Sequence, residues 1–90
     1  MKYTTKNLKI AATIMTLNPD VMYHYGKRLI TDGDGNTYAH LQDQALYFTF
    51  ILDEDFDMGT VMNCQVDPYK WHDNLNVLRG QVREWRMASL

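Results

Sequence analysis

The feature that most constrains the fold of this chain is its last third, which is predicted to form one amphipathic helix. Asp67-Pro68 marks the start, because aspartate caps helices and proline is favoured in the first turn. From there to Ala88 apolar residues recur every three or four positions, as on one helical face. At ~3.6 residues per turn they form a stripe ~80° wide, which must be buried against other elements. Its members are Trp71, Leu75, Leu78, Val82 and Trp85.

A first helix is predicted from Lys6 to Leu17, with Thr4 or Thr5 as its cap. Ile10 and Ile14 lie on its apolar face together with Leu17, and this face covers about half of the circumference. A helix of this kind is expected to lie well into a core.

The sequence Asn18-Pro19-Asp20 is typical of a helix end followed at once by a helix start. It predicts a second, short helix through about Tyr25, with Gly26 positioned to end it. A longer version that continues to Ile30 also keeps helical spacing, but the shorter one is favoured.

The middle of the chain is predicted to form strands. Lys27 to Thr31 and Asn36 to His40 flank two Asp-Gly pairs, which supply the turn of a β-hairpin. Ala45 to Leu52 is rich in aromatic and β-preferring residues, and since both faces are apolar we expect a central strand covered on both sides. Asp53 to Asp57 is predicted as a turn, and Thr60 to Val66 as the returning partner strand.

These elements predict a single α+β domain over residues 1–90. Its order is α-α-β-β-β-β-α, with a small antiparallel sheet of about four strands, two N-terminal helices and the long C-terminal helix packed on the sheet. Hydrophobic residues make up 46% of the chain and charged residues 22%, which are values typical of a globular fold.

Cysteine usage and the N-terminal segment indicate a cytoplasmic protein. The one cysteine, Cys64, has no internal partner, whereas small secreted domains are usually held together by disulfides. Thr13 and Thr16 interrupt the apolar N-terminal run, which argues against a signal peptide. No segment approaches the ~20 apolar residues of a membrane span. Six methionines and 12% aromatic residues are compatible with self-association.

No motif in the sequence indicates catalysis or a cofactor. It contains no phosphate-binding glycine loop, dinucleotide fingerprint, Gly-x-Ser-x-Gly elbow or His-Glu-x-x-His pattern. The histidines His24, His40 and His72 do not follow metal-ligand spacing. Cys64, on a predicted strand, is interpreted as a small buried apolar residue. We therefore expect a non-enzymatic protein that binds another macromolecule and needs no cofactor.

Arg79, Arg83 and Arg86 are predicted to form a row beside the apolar stripe of the last helix, here called the arginine row. Like charges four residues apart repel by a few tenths of a kcal/mol, so the row needs a counter-charge from elsewhere. Three sources are considered: an acidic protein partner, nucleic-acid phosphates, and the chain's own carboxylates. Self-pairing or simple solvation is favoured. Because guanidinium groups are enriched at interfaces, the row is nevertheless the first choice for a functional surface.

Four carboxylates surround Phe56 and form what is here called the acidic loop: Asp53, Glu54, Asp55 and Asp57. The simplest interpretation is a solvated turn with Phe56 folded onto the core. A functional interpretation has the loop dock onto a basic surface.

The run Asp32-Gly33-Asp34-Gly35-Asn36 places oxygen ligands at alternate positions, as a calcium loop does. Asp43 falls at the twelfth position. The sixth position holds Thr37 instead of glycine, and a glutamate is missing from the twelfth, so a hairpin turn is favoured over a cation site.

The function expected from the sequence is regulatory binding to a protein partner through the arginine row or the acidic loop. In size and character the chain is similar to the small inhibitors that bacteriophages direct at host proteins, although no motif carries that analogy. Nucleic-acid binding by the arginine row is the alternative, and net charge −2 argues mildly against it. A divalent-cation module at Asp32, Asp34 and Asn36 is the second alternative.

Overall fold

The computed structural model describes residues 1–40 and 42–88, which form three helices, a three-stranded antiparallel sheet and a two-stranded antiparallel sheet. The predicted α+β class, with small antiparallel sheets and a long C-terminal helix, is confirmed, but the order of the elements differs. In chain order they are β1 (Lys2–Thr5), α1 (Leu8–Leu17), β2 (Met22–Gly26), β3 (Leu29–Thr31), β4 (Thr37–Ala39), β5 (Tyr47–Ile51), α2 (Met58–Asn63) and α3 (Pro68–Ala88).

Strand β5 is central, as predicted, but its partners come from the first third of the chain. It pairs antiparallel with β1 on one side and with β2 on the other. Strands β1 and β2 are therefore parallel to each other and joined through α1, which is the arrangement of a split β-α-β unit. Phe50 lies opposite both Tyr3 and Tyr23 in the ladder.

The predicted partner strand at Thr60 to Val66 is wrong, because this segment begins with helix α2. Asp57 caps that helix, its carboxylate accepting the backbone N–H of Gly59 at 2.8 Å. The turn predicted for the acidic loop precedes this cap.

At the N-terminus the structure contains a strand that was not predicted, β1, and the first helix begins at Leu8, two residues after the predicted start at Lys6. The predicted cap at Thr4 or Thr5 is wrong: Asn7 caps α1, and its side-chain oxygen accepts the N–H groups of Lys9 at 3.0 Å and Ile10 at 3.2 Å. The predicted end of this helix at Leu17 is confirmed.

The predicted second helix is wrong in both its short and its long version, because the segment forms strand β2. The Val21 N–H donates to the Asn18 carbonyl at 2.9 Å, so Asn18-Pro19-Asp20 forms a turn and starts no helix. In a strand Tyr23 and Tyr25 share one face while His24 lies on the other, whereas a helix would spread the three rings around its circumference.

The predicted hairpin is confirmed as β3 and β4. Its turn uses Asp32, whose carboxylate accepts the N–H groups of Asp34 and Asn36, both at 2.9 Å. Gly35 has φ 84°, a conformation that favours glycine. The hairpin makes few contacts with the rest of the described chain.

The C-terminal helix is confirmed over its predicted length, and its stripe is directed inward. Leu75 and Leu78 are buried, and the other stripe residues are half-buried. The Trp71 indole N–H donates to the Thr13 hydroxyl at 3.0 Å. Gln81 donates to the Tyr23 hydroxyl at 3.0 Å, which ties the helix to the sheet.

Helices α1 and α3 cover the same face of the three-stranded sheet. Phe48 and Phe50 are fully buried there, in one cluster with Ile14 and Leu78. The opposite face is open, which corrects the prediction of a strand covered on both sides, and Ile51 is 48% exposed on it. No helix within the described ranges is long and apolar enough to cross a membrane.

Candidate interaction surfaces

The arginine row lies on the C-terminal half of α3, and all three of its side chains are exposed. Arg79, Arg83 and Arg86 fall within ~60° of one another around the helix. Glu84, the acidic residue of the same half-helix, is ~130° round from the centre of the row. Within residues 1–40 and 42–88 none of the three guanidinium groups makes an ion pair or a hydrogen bond with a side chain.

A groove of about 380 Å³ runs beneath the row and has an apolar floor. Leu8 from α1 contributes to it, as do Val82 and Met87 from α3. Met87 is 67% exposed, so an apolar surface and the guanidinium groups face solvent together.

A second groove of about 460 Å³ adjoins the first, since Leu8, Val82 and Arg86 line both. It adds the Lys6 side chain to the same end of the molecule. The indole N–H of Trp85 donates to the Gln44 carbonyl at 3.3 Å and so holds the helix against the segment that leads into β5.

The acidic loop follows β5 and therefore lies beyond the other end of that strand. Asp53 lines a groove of about 440 Å³ together with Asp20 and Ile51. Phe56 is half-buried and packs against the core, as predicted. Asp57 has a structural role as the cap of α2.

The row and the loop are held apart by the fold. The row lies near Lys6, which precedes α1, and near Gln44, which precedes β5. The loop lies near Asp20, which follows α1, and near Leu52, which follows β5. In the described part of the chain no ion pair joins them. Pairing of the arginine row with the chain's own carboxylates is therefore not observed in the described residues. The exposed arginines match the other favoured interpretation, simple solvation.

The Asp-Gly-Asp-Gly-Asn run is organised by its own backbone. One carboxylate oxygen of Asp32 already accepts two N–H groups, and the Gly35 N–H donates to the Asp32 carbonyl at 3.2 Å. Among the described residues no group of three or more His, Cys, Asp or Glu side chains is placed to hold a metal ion.

Sequence reasoning missed a polar contact between Asp43 and Tyr47, at the start of β5. The Tyr47 hydroxyl donates to the Asp43 carboxylate at 2.7 Å, and the Ala45 N–H donates to the same group at 3.0 Å. These two bonds, helped by the charges of Lys6 and Arg28, hold the pKa of Asp43 below its usual value of 3.8. The bond to Asp43 raises the pKa of Tyr47 above 10.0, with some contribution from burial.

Cys64 ends α2 and is not on a strand, so its predicted location is wrong. Its thiol is half-buried and contacts the Val61 carbonyl at 3.7 Å. Among the histidines, His40 accepts the N–H groups of Gln42 and Asp43 through Nδ1, at 3.2 and 3.1 Å. Cys64 and His40 thus have local structural contacts.

Comparison with known proteins adds no relative to this picture: no protein-family model, no curated protein and no solved structure matches the chain.

Proposed function

We propose that this protein is a non-enzymatic regulator that acts by binding another protein through the arginine row and the groove beneath it. The observation that carries the proposal is the exposure of three guanidinium groups without a carboxylate partner in the described chain. Such a row is repulsive within its own helix. A partner's carboxylates would supply the missing counter-charge.

The apolar floor of the groove favours a protein over a nucleic-acid backbone as the ligand of the row. Leu8, Val82 and Met87 offer apolar contact area between the charges, and interfaces between proteins combine arginine with methionine and aromatic residues in this way. We expect the partner to present an acidic segment with apolar residues among its carboxylates, for example an amphipathic helix.

The test is affinity capture from the native host followed by a binding measurement on the captured protein. Reversal of Arg79, Arg83 and Arg86 to glutamate should weaken binding at least about tenfold, because arginine hot spots contribute more than ~1 kcal/mol each. Reversal of Lys9 and Lys70 to glutamate, on other exposed surfaces of α1 and α3, is the matched control and should leave binding nearly unchanged.

A further variant distinguishes the row from the acidic loop, the other contact predicted from the sequence. It replaces Asp53, Glu54 and Asp55 by their amides and leaves the Asp57 cap in place. If this variant loses the partner and the arginine variant keeps it, the row is not the contact surface and the proposal is wrong.

A further inference from the structure

The open face of the three-stranded sheet, on the side away from α1 and α3, is basic and polar at one end. Side chains alternate between the two faces of a strand. Thr4 and His24 both lie opposite Thr49 in the ladder, so the three side chains lie side by side on this face. The Thr4 and Thr49 hydroxyls are 2.9 Å apart and hydrogen-bonded to each other. None of the three strands, Lys-Tyr-Thr-Thr, Met-Tyr-His-Tyr-Gly and Tyr-Phe-Thr-Phe-Ile, contains an acidic residue.

The base of the β3–β4 hairpin and this face enclose a groove of about 640 Å³. Lys27 and Arg28 line it and are exposed, and His24 adds an imidazole. Asp43 interacts electrostatically with Arg28, but its carboxylate does not line the groove and accepts hydrogen bonds from Tyr47 and Ala45. The charged residues that line the groove, Lys27 and Arg28, are both cationic.

Aromatic rings with open space beside them also line the groove. Tyr47 lies directly opposite Gly26 in the ladder, so no side chain covers it from strand β2. A Cβ built at Gly26 would meet nothing within 4 Å. The exposed His24 imidazole lines the same groove, whereas the Tyr25 ring packs against Phe48 on the covered face of the sheet. Rings in this setting are suited to stack on flat ligands.

We propose that this groove binds a single strand of nucleic acid, with phosphates on Lys27 and Arg28 and bases against the rings. Single-strand binders combine a cationic groove with aromatic side chains in this way. The groove contains one aliphatic residue, Leu29, and the apolar Met22 and Ile51 lie at the other, acidic end of the sheet beside Asp20 and Asp53. A protein segment would need more apolar anchors than this end offers.

This site is separate from the arginine row, so the two proposals stand or fall independently. The net charge of −2 reflects the acidic loop and the hairpin tip. It does not describe this groove.

The experiment is fluorescence anisotropy with labelled oligothymidylate and oligouridylate strands of about twelve nucleotides, a length within the range bound by small single-strand modules. We expect saturable binding at low salt. The logarithm of the association constant should fall linearly with the logarithm of the salt concentration, with a slope of about −1.4 to −2, because two or three phosphates are neutralised. A duplex of equal length should bind more weakly, since its bases are not free to stack.

Gly26→Glu and Gly26→Gln form a matched pair that adds side chains of equal size to the open space beside Tyr47. The glutamate should weaken binding about tenfold relative to the glutamine, because it places a negative charge beside the phosphates. Reversal of Lys27 and Arg28 to glutamate should weaken it at least as much. Thermal melting of each variant, which should match the wild type, shows that the fold is intact.

Three results would overturn the proposal. One is the absence of an anisotropy change at low salt for both strands. Another is binding that survives reversal of Lys27 and Arg28 but is lost on reversal of Arg79, Arg83 and Arg86, which would place phosphates on the arginine row. The third is displacement of the oligonucleotide by polyglutamate at equal charge concentration, which would show that the groove takes an acidic protein segment.

Discussion

At the scale of single residues, the clearest electrostatic feature is the bond between Tyr47 and Asp43. The phenol O–H favours the ionised carboxylate, so the pKa of Asp43 falls, and the same bond opposes loss of the phenol proton, so the pKa of Tyr47 rises. Folding is thus linked to protonation at both ends of the pH range. The contribution of Asp43 to stability is present above pH 3.8 and is lost as the pH falls through the lowered pKa of the folded state.

The contribution of Tyr47 has the opposite sign. It is present below pH 10.0 and is lost as the pH rises through the raised pKa of the folded protein.

Tyr47→Phe removes the hydroxyl and keeps the ring. We expect the pKa of Asp43, measured by NMR titration of its carboxyl carbon, to rise towards 3.8. Tyr38→Phe is the matched control, because the Tyr38 hydroxyl has no hydrogen bond within the described ranges. An Asp43 pKa that is the same in wild type and Tyr47→Phe would mean that the hydrogen bond does not form in solution.

At the scale of elements, α3 continues through Gly80 without interruption from Pro68 to Ala88. Glycine weakens a helix interior by ~1 kcal/mol relative to alanine, and a Cβ at this position would meet nothing within 4 Å. The φ angle of Gly80 is not positive, so alanine fits the backbone as it stands.

Gly80→Ala is therefore expected to stabilise the protein by about 0.5–1 kcal/mol. The measurement is urea unfolding followed by circular dichroism, with Gly33→Ala in the exposed hairpin turn as the comparison. A loss of stability for Gly80→Ala would show that the helix bends there or that another surface approaches the glycine closely.

The elements that could be predicted from the sequence are those fixed by local signals. The Asp67-Pro68 start and the apolar period define α3, and the Asp-Gly pairs define the hairpin. Strands β1 and β2 were missed because their stability comes from pairing with β5. That strand is more than forty residues from β1 in sequence and more than twenty from β2. The local signal at Asn18-Pro19-Asp20 favours a helix in the segment that forms β2, and pairing with β5 overrides it.

Helix α2 was missed for a different reason. Thr60 and Val61 are β-branched and favour a strand, but the Asp57 cap and the packing of Val61 into the core select a helical turn. The local signal for this helix is the capping residue Asp57, two positions before Gly59. From the sequence alone, Asp57 is interpreted only as part of a turn.

At the scale of the whole molecule, the charges separate towards two ends. The arginine row and Lys6 lie near the start of β5, and the acidic loop and Asp20 lie near its end. The sequence was sufficient to predict the row, because helical spacing alone places the three arginines together. It was not sufficient to predict the groove beside the hairpin, because that groove combines residues of β1, β2 and β5, which only the sheet brings together.

The central claim is that the arginine row has no partner among residues 1–40 and 42–88 and so is available to another molecule. Urea unfolding of a variant with Arg79, Arg83 and Arg86 all replaced by glutamine tests it most directly. The free energy of unfolding should stay within about 0.5 kcal/mol of the wild type, because only a weak mutual repulsion is removed. A loss greater than about 1 kcal/mol would contradict the account, since it would show that the chain itself uses these charges to hold its fold.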